Sequence, residues 1–325
     1  MWGRWALRIG GLWIAVWLGL QLAVTLMPLP EGIGEFPLIS AQVADREGGP
    51  LRLLITADEY FLQPVTLEEC APAFIQATLA AEDKRFWVHG GVDWVGVVRA
   101  VKDMITEGRV VSGASTITQQ LIKNAEPRPR TLQTKILESL QAKKLERQWS
   151  KSQILTAYLN RIDYGNLCRG AGTGAWYYFD KPLSDVSPAE AAFLAGLPNA
   201  PARLNPRKNF DRAKHRQLTV LARMYRNGWL DGDSLRRACA EPIALHPEGR
   251  AFAAAHFVDL VKQQRVVNGN VQTTLDLPLN QFVCQSLCSR LDRLKGKDVS
   301  NGAAVVIEND TGNVLALVGS RDYFG

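Results

Sequence analysis

TLEECAPAFIQATLAAEDKRFWVHGG, residues 66–91, carries an apolar stripe that ends in an acid. Ala71, Phe74, Ile75, Thr78 and Leu79 recur at three- and four-residue spacing, which predicts one face of a helix. The next position on that face is Glu82, with Phe86 one turn further on. A carboxylate at the end of an apolar stripe is partly desolvated; this disfavours its charged form and raises its pKa. That is how a glutamate becomes useful for proton transfer near neutral pH. The bland account is that Glu82 closes the stripe and pairs with Lys84 or Arg85, and this helix taken alone favours it. Asp83 and His89 are equally open, and a histidine in such a turn is more often hydrogen-bonded in place than a ligand.

Outward from this helix, the 325-residue chain allows two domains of ordinary size, or one large domain with accessories. An apolar content of 46% is enough for a sizeable core, and a net charge of +6 suggests an anionic partner: nucleic acid, phosphate or lipid headgroups. After Arg4 and Arg8, IGGLWIAVWLGLQLAVTLM (residues 9–27) holds no charge and is as long as a bilayer-spanning helix. Pro28 and Pro30 end it, and Glu31 and Glu35 follow. Basic residues before the span and acidic ones after it predict a cytoplasmic N-terminus (1–8), a transmembrane anchor (9–28) and a body on the outer side. A cleaved signal peptide is the alternative, but the run is long for one and MPLPEG offers no small-x-small cleavage site. The five cysteines (Cys70, Cys168, Cys239, Cys284, Cys288) are odd in number and scattered, with no CxxC or Cys/His cluster. They read as buried thiols, not as zinc ligands or a disulfide framework.

The organisation that follows is mainly α. A linker (29–65) contains a β-hairpin, QVADR and PLRLLI flanking a turn at Glu47-Gly48-Gly49. A helical domain follows (66–240), with capping boxes at Thr66/Glu69, Ser150/Gln153 and Ser187/Glu190, the last with Pro188 at the first helical position. Asp93 and Thr131 can cap two further helices, and a helix over 210–227 ends at Asn227-Gly228. A second linker (241–300) holds a strand, VQTTLD, and a helix over 278–294; residues 301–325 read as two strands joined at Asn309-Asp310-Thr311-Gly312, the expected opening of a second, truncated domain.

Two more stretches add polar groups. In GASTITQQLIKN (113–124), Gly113 breaks the preceding loop, Ser115 or Thr116 caps a short helix, and Gln119 completes a box with Thr116. Ile117 and Leu121 form its buried side, leaving Thr118, Gln120, Lys123 and Asn124 for a sugar or phosphate, or for water. In PRPRTLQTKILESLQAKKLERQW (127–149), Arg130 and Lys135 stand near a helix N-terminus, where cations oppose the macrodipole unless an anion is bound. Lys135 and Glu138 are three apart and hence surface neighbours, so an ordinary ion pair is the competing account.

EDKRFWVHGGVD, GASTITQQLIKN, RTLQTKILES, KSQILTAYLNRIDYGN and SPAEAAFLAGLPNAPARLNP, in that order, resemble the family-51 glycosyltransferases of class A penicillin-binding proteins over about residues 66–210. PLPEG, TADEYFLQPVTLEE and CAEPI look most like the 1C-type members. VQTTLD and GAAVVIENDTGNVLALVGSRDYF are similar to the entry into the family's penicillin-binding transpeptidase domain, but its SxxK, SxN and KTG motifs do not occur in these 325 residues. The resemblance implies a lysozyme-like helical glycosyltransferase domain with a small β-hairpin element, behind one N-terminal transmembrane helix. It implies residence in the inner (cytoplasmic) membrane, single-pass, with the catalytic domain periplasmic.

It further implies polymerisation of lipid II into β-1,4 glycan strands with inversion, the growing strand being the donor. Glu82 then matches the general base and Glu138 the second catalytic carboxylate, positioning substrate or a metal near the departing pyrophosphate. Arg130 and Lys135 match pyrophosphate-binding cations, and Gln120, Lys123 and Asn124 match binding residues of the second motif, beside Ser115 and Thr116. Asp83, Phe86 and His89 belong to the first motif and either meet substrate or hold its loop. No cofactor is implied as obligatory; a divalent cation (Mg2+ or Mn2+) at Glu138 is compatible. The implied partners are lipid II, the growing strand, the bacterial membrane and other wall-synthesis proteins, with no nucleic acid.

Two departures weaken the expected substrate grip: Thr134-Lys135 stands where relatives often carry Arg-Lys, and Gly172 where many have glutamate. ARLNPRKNFDRAKHRQ (202–217) can face anionic lipid or be a solvated helix, and WVGVVRAVKDM (94–104) can dip into a membrane or pack in the core. Two other classes compete: a lytic, lysozyme-like enzyme, which has no need of the Lys123, Arg130 and Lys135 cations, and a non-catalytic scaffold.

Overall fold

Prolines and capping side chains decide where the helices of this chain begin. The computed structural model describes residues 2–35, 37–107, 115–247, 252–264 and 269–323, without the side chains of 2–10, 12, 101, 103, 104, 107 and 295. Gly113, expected to break a loop, lies outside the described residues. The elements run α1 Trp2–Leu26, β1 Gln42–Ala44, β2 Pro50–Leu53, β3 Phe61–Leu62, α2 Pro72–Glu82, α3 Trp94–Glu107, α4 Ile117–Ala125, α5 Leu132–Gln148 and α6 Lys151–Leu159. Then come β4 Cys168–Arg169, α7 Ala171–Phe179, α8 Pro188–Gly196, α9 Phe210–Arg226, α10 Gly232–Ala240, α11 Ala255–Gln264, β5 Val271–Gln272, α12 Leu277–Leu294, β6 Ala304–Ile307 and β7 Val314–Val318. The protein is mainly helical with small sheets.

Thr116, Ser150 and Ser187 each complete a capping box, opening α4, α6 and α8. Thr131 caps α5 by accepting from the Thr134 N–H. The exception is α2, expected from Thr66: it starts at Pro72. Proline suits the first helical position and disfavours helical geometry in the residue before it, so Ala71 is extended and the helix cannot begin earlier. Half of the expected box survives as a turn, the Thr66 N–H donating to Glu69 at 2.8 Å.

The chain forms two units. The first comprises residues 1–37, 64–175 and 181–244. In it α8 packs on α2 and α9, around Phe74, Phe193, Val220 and Leu221, and α4 packs on α5 and α6 around Ile117, Leu121, Leu145 and Ile154. Gly91 (φ +88°) threads the loop after α2 against α5: a β-carbon there would stand 2.7 Å from the Ala142 carbonyl oxygen. The second unit comprises 38–63, 176–180 and 245–325. Its sheet runs β2-β1-β5, the expected hairpin being antiparallel and β5 joining parallel to β1. Val43, Leu51, Phe257, Val258 and Leu275 form its core, and β6 pairs antiparallel with β7 through a turn at Gly312. All five cysteines are free; Cys70 and Cys168 are buried, and Cys239, Cys284 and Cys288 only partly so.

The C-terminal end of α1 is held by α5. Lys144 Nζ donates to the Met27 and Thr25 carbonyls at 2.7 and 3.0 Å, and Gln141 to that of Pro28 at 2.8 Å. Trp13, Trp17, Leu18 and Leu22 of α1 are exposed. Among the described residues, however, no helix is long and apolar enough to cross a membrane, so the span at 9–28 remains an expectation.

Candidate active site

The end of α2, the start of α4, the start of α5 and one side of α9 enclose a cleft of about 1220 Å³ in the first unit. Glu82 closes α2 and is half-buried, because Phe74, Thr78 and Leu79 carry the helix into the core one and two turns earlier. Its Oε2 accepts from Gln120 Nε2 at 2.9 Å. The Tyr158 hydroxyl donates to Gln120 Oε1 at 3.4 Å, and so turns the amide with its nitrogen toward the acid. Glu82 Oε1 is buried without a hydrogen-bond partner among the described residues. Burial pushes the Glu82 carboxyl above the ordinary carboxylate range; the Gln120 hydrogen bond and the Arg216 and Arg223 charges oppose this, and Asp83 adds to it. The pairing with Lys84 or Arg85 does not form: Lys84 is exposed, and Arg85 lies 3.4 Å from Asp93.

On the facing side, Lys135 Nζ donates to Glu138 Oε2 at 3.2 Å and to the Ser115 hydroxyl at 2.8 Å. The α5 start thereby joins the α4 start, and Glu138 is buried while Lys135 stays open to the cleft. Lys123, Asn124 and Arg130 line the same cleft. Of the sequence candidates, Glu82, Asp83, Ser115, Gln120, Lys123, Asn124, Arg130, Lys135 and Glu138 thus converge.

Phe86, His89 and Thr116 do not line the cleft; they stand behind it. Phe86 is fully buried in a short 3-10 turn, with Lys151 Nζ 4.4 Å from its ring centroid. His89 Nε2 lies 2.9 Å from Asp83 Oδ2, which also accepts from the Ile117 N–H at 3.0 Å. The Thr116 hydroxyl donates to the Gly91 carbonyl at 2.7 Å. Asp83, His89 and Thr116 therefore tie the loop after α2 to the start of α4, the loop-holding alternative.

The α9 wall was missed in the sequence. Arg216, Arg223 and Arg226 line the cleft, with Arg99 of α3 and Asn199 between α8 and α9. Arg216 falls within the basic stretch read as lipid-facing or solvated; its seven-residue spacing from Arg223, two turns, was the available signal. At the place where a divalent cation was expected, Glu138 is one carboxylate already bonded to the Lys135 ammonium, and among the described residues no three His, Cys, Asp or Glu side chains gather; a Mg2+ ion there would complete its shell with water and substrate phosphate oxygens.

A half-buried carboxylate with one unpartnered oxygen, lining a cleft together with several cations, suits acid–base chemistry on an anionic substrate. The family description "Transglycosylase" matches residues 52–225. Penicillin-binding protein 1C of Escherichia coli (strain K12) is 35% identical over 280 residues, covering 86% of this chain and 36% of that protein. Penicillin-binding protein 1A of Aquifex aeolicus (strain VF5) is 34% identical over 305 residues, covering 89% of this chain and 42% of that one. A crystal structure of penicillin-binding protein 1A from Haemophilus influenzae aligns with a TM-score of 0.43 at 20% identity, over 84% of this chain and 32% of that one. The chain belongs to the transglycosylase family of the class A penicillin-binding proteins, and carries its peptidoglycan glycosyltransferase domain. It spans 36% and 42% of the two curated relatives.

Proposed function

We propose that this chain is a membrane-anchored peptidoglycan glycosyltransferase that polymerises lipid II. The observation that carries the reading is the pairing, across one cleft, of Glu82 with its free buried Oε1 and the cations Lys123, Arg130 and Lys135. The Glu82 carboxylate takes the proton of the acceptor N-acetylglucosamine 4-hydroxyl. The oxygen attacks the anomeric carbon of the growing strand from the face opposite its lipid pyrophosphate. One C–O bond forms, the C–O bond to the pyrophosphate breaks, and the configuration inverts to β-1,4. The departing diphosphate meets Lys123, Arg130 and Lys135, of which Lys135 is already held in place by Glu138 and Ser115 before the bond breaks. Glu138 orients Lys135 through the 3.2 Å contact.

An anchor in the inner membrane at 9–28, single-pass with the cleft on the periplasmic side, is supported by the uncharged run and by exposed Trp13, Ile14, Val16, Trp17, Leu18, Leu20, Leu22 and Leu26. Trp94, Val95, Val98 and Ile105 are also exposed; this removes the core-packing account for those positions of α3 and favours lipid contact beside the cleft-lining Arg99. Other wall-synthesis proteins would meet the enzyme at that surface of the cell.

Polymerisation of lipid II by wild type and by Glu82→Gln, each with and without moenomycin, tests the proposal. Wild type lengthens glycan and moenomycin stops it; Glu82→Gln loses about 10²-fold or more, the loss of a positioned base. Shortening of finished glycan would instead favour the lytic alternative, and full activity of Glu82→Gln the scaffold.

A further inference from the structure

The last intrahelical bond of α2 is the Asp83 N–H to the Leu79 carbonyl. The Ala80 and Ala81 carbonyls lie beyond it, among those a helix end leaves without partners of its own. Arg223 takes both: its Nη1 donates to Ala81 O at 2.8 Å and to Ala80 O at 3.4 Å. The guanidinium reaches them from α9, which packs against α2, and a cation at a helix C-terminus is also favoured by the macrodipole. Glu82 is the very next residue, and both side chains open on the cleft.

We infer that Arg223 is a positioning residue for the base: it clamps the last turn of α2 so that Glu82 faces the cleft, and it holds a fixed positive charge beside that carboxylate. The inference rests on Glu82 being the base. Glu82 is faced by Gln120 from α4, by Arg216 and Arg223 from α9, by Tyr158 from α6, by Tyr164 beyond α6, and by its neighbour Asp83. Arg223 in turn feels Arg216, Arg226 and Arg99, so α9 and α3 bring like charges together and Glu82 is the acid among them. The two arginine charges work against the burial of Glu82; without Arg223 the carboxyl holds its proton to higher pH, and less of it is available as base near neutrality.

The test is the pH dependence of lipid II polymerisation by the full chain, for wild type, Arg223→Gln, Arg223→Lys and Glu82→Gln. Arg223→Gln should lose about tenfold more kcat near pH 6 than near pH 8.5, its acid limb having moved to higher pH. Arg223→Lys keeps the charge and loses the double grip. Its kcat should fall evenly across the range, with the acid limb where wild type has it and KM unchanged within about twofold. If Arg223→Gln fails to fold by circular dichroism, Arg223→Lys carries the test, and wild-type rates in it overturn the inference. A lowered Tm with an unmoved limb in Arg223→Gln shows a merely structural role. A raised KM alone shows a substrate contact, and either result overturns the inference. Failure of the underlying reading looks different: Glu82→Gln then stays active.

Discussion

Glu82 has two oxygens in two situations. Oε2 is occupied by Gln120, and Oε1 is buried with nothing to bond. The arrangement suits proton transfer and costs stability, because burial disfavours the charge that the base must carry. The sign follows. The folded carboxyl sits above its unfolded value, so the native state binds the proton more tightly. The stability this contributes is fully present below the unfolded pKa, and is lost as pH rises through the folded one. Glu82→Gln removes the titration. At pH 8 it should therefore be more stable than wild type, with a higher Tm, and the gap should close as pH falls into the acid range. Thermal unfolding at pH 8 and in the acid range checks this; a variant less stable at pH 8 would contradict the burial argument. The acid was legible in the sequence because it interrupted a stripe. Its partners were not: Gln120, Tyr158, Arg216 and Arg223 come from three other helices, at spacings that each fit an ordinary core or solvated face.

At the scale of elements, capping chemistry is local and reads well. Thr116, Ser150 and Ser187 open their helices as their boxes require. The start of α2 reads poorly only because two local signals compete, and Pro72 outweighs Thr66. What no local signal reveals is how the motifs meet. The loop after α2 is bound to α4 through Asp83, His89 and the Thr116–Gly91 bond, and Gly91 lies hard against α5 one turn beyond Glu138. Gly91 thus lets the loop after α2 lie directly on the α5 backbone. Its positive φ and the 2.7 Å approach leave no room for a side chain. Gly91→Ala should cost about 2–5 kcal/mol in urea unfolding, from backbone strain and overpacking together. It should also lower kcat in the fraction that stays folded, because α5 carries Lys135 and Glu138 with it. A loss below about 1 kcal/mol would mean that the loop slides freely and does not gauge the site.

At the scale of the whole molecule, the net charge of +6 is a blunt hint of an anionic partner, and the first unit shows where part of that charge is used. Seven cations line the cleft besides Lys84: Arg99, Lys123, Arg130, Lys135, Arg216, Arg223 and Arg226. The acids there are Glu82, Asp83, Glu138 and Asp163, and the first is held above the ordinary carboxylate range. The expected shortfall at Thr134 is therefore set in a wall of arginines that the family motifs alone did not bring into view. Asn124, Arg99, Arg130 and Arg226 are exposed, so salt reaches three of these charges directly. The screening length falls from about 30 Å at 0.01 M to about 10 Å at 0.1 M and about 3 Å at 1 M. Capture of a diphosphate-bearing lipid should weaken accordingly, with KM for lipid II in a neutral detergent rising about three- to tenfold between about 0.05 and 0.5 M salt. Proton transfer at Glu82 should respond far less, since its surroundings are screened by protein and not by ions, and kcat should stay within about twofold. A KM that stays flat across that range would mean that the substrate's charge never meets the arginine and lysine walls. An equal fall in KM-corrected rate and kcat would move the salt-sensitive step from capture to chemistry, against the division of labour between the cleft's cations and its buried acid.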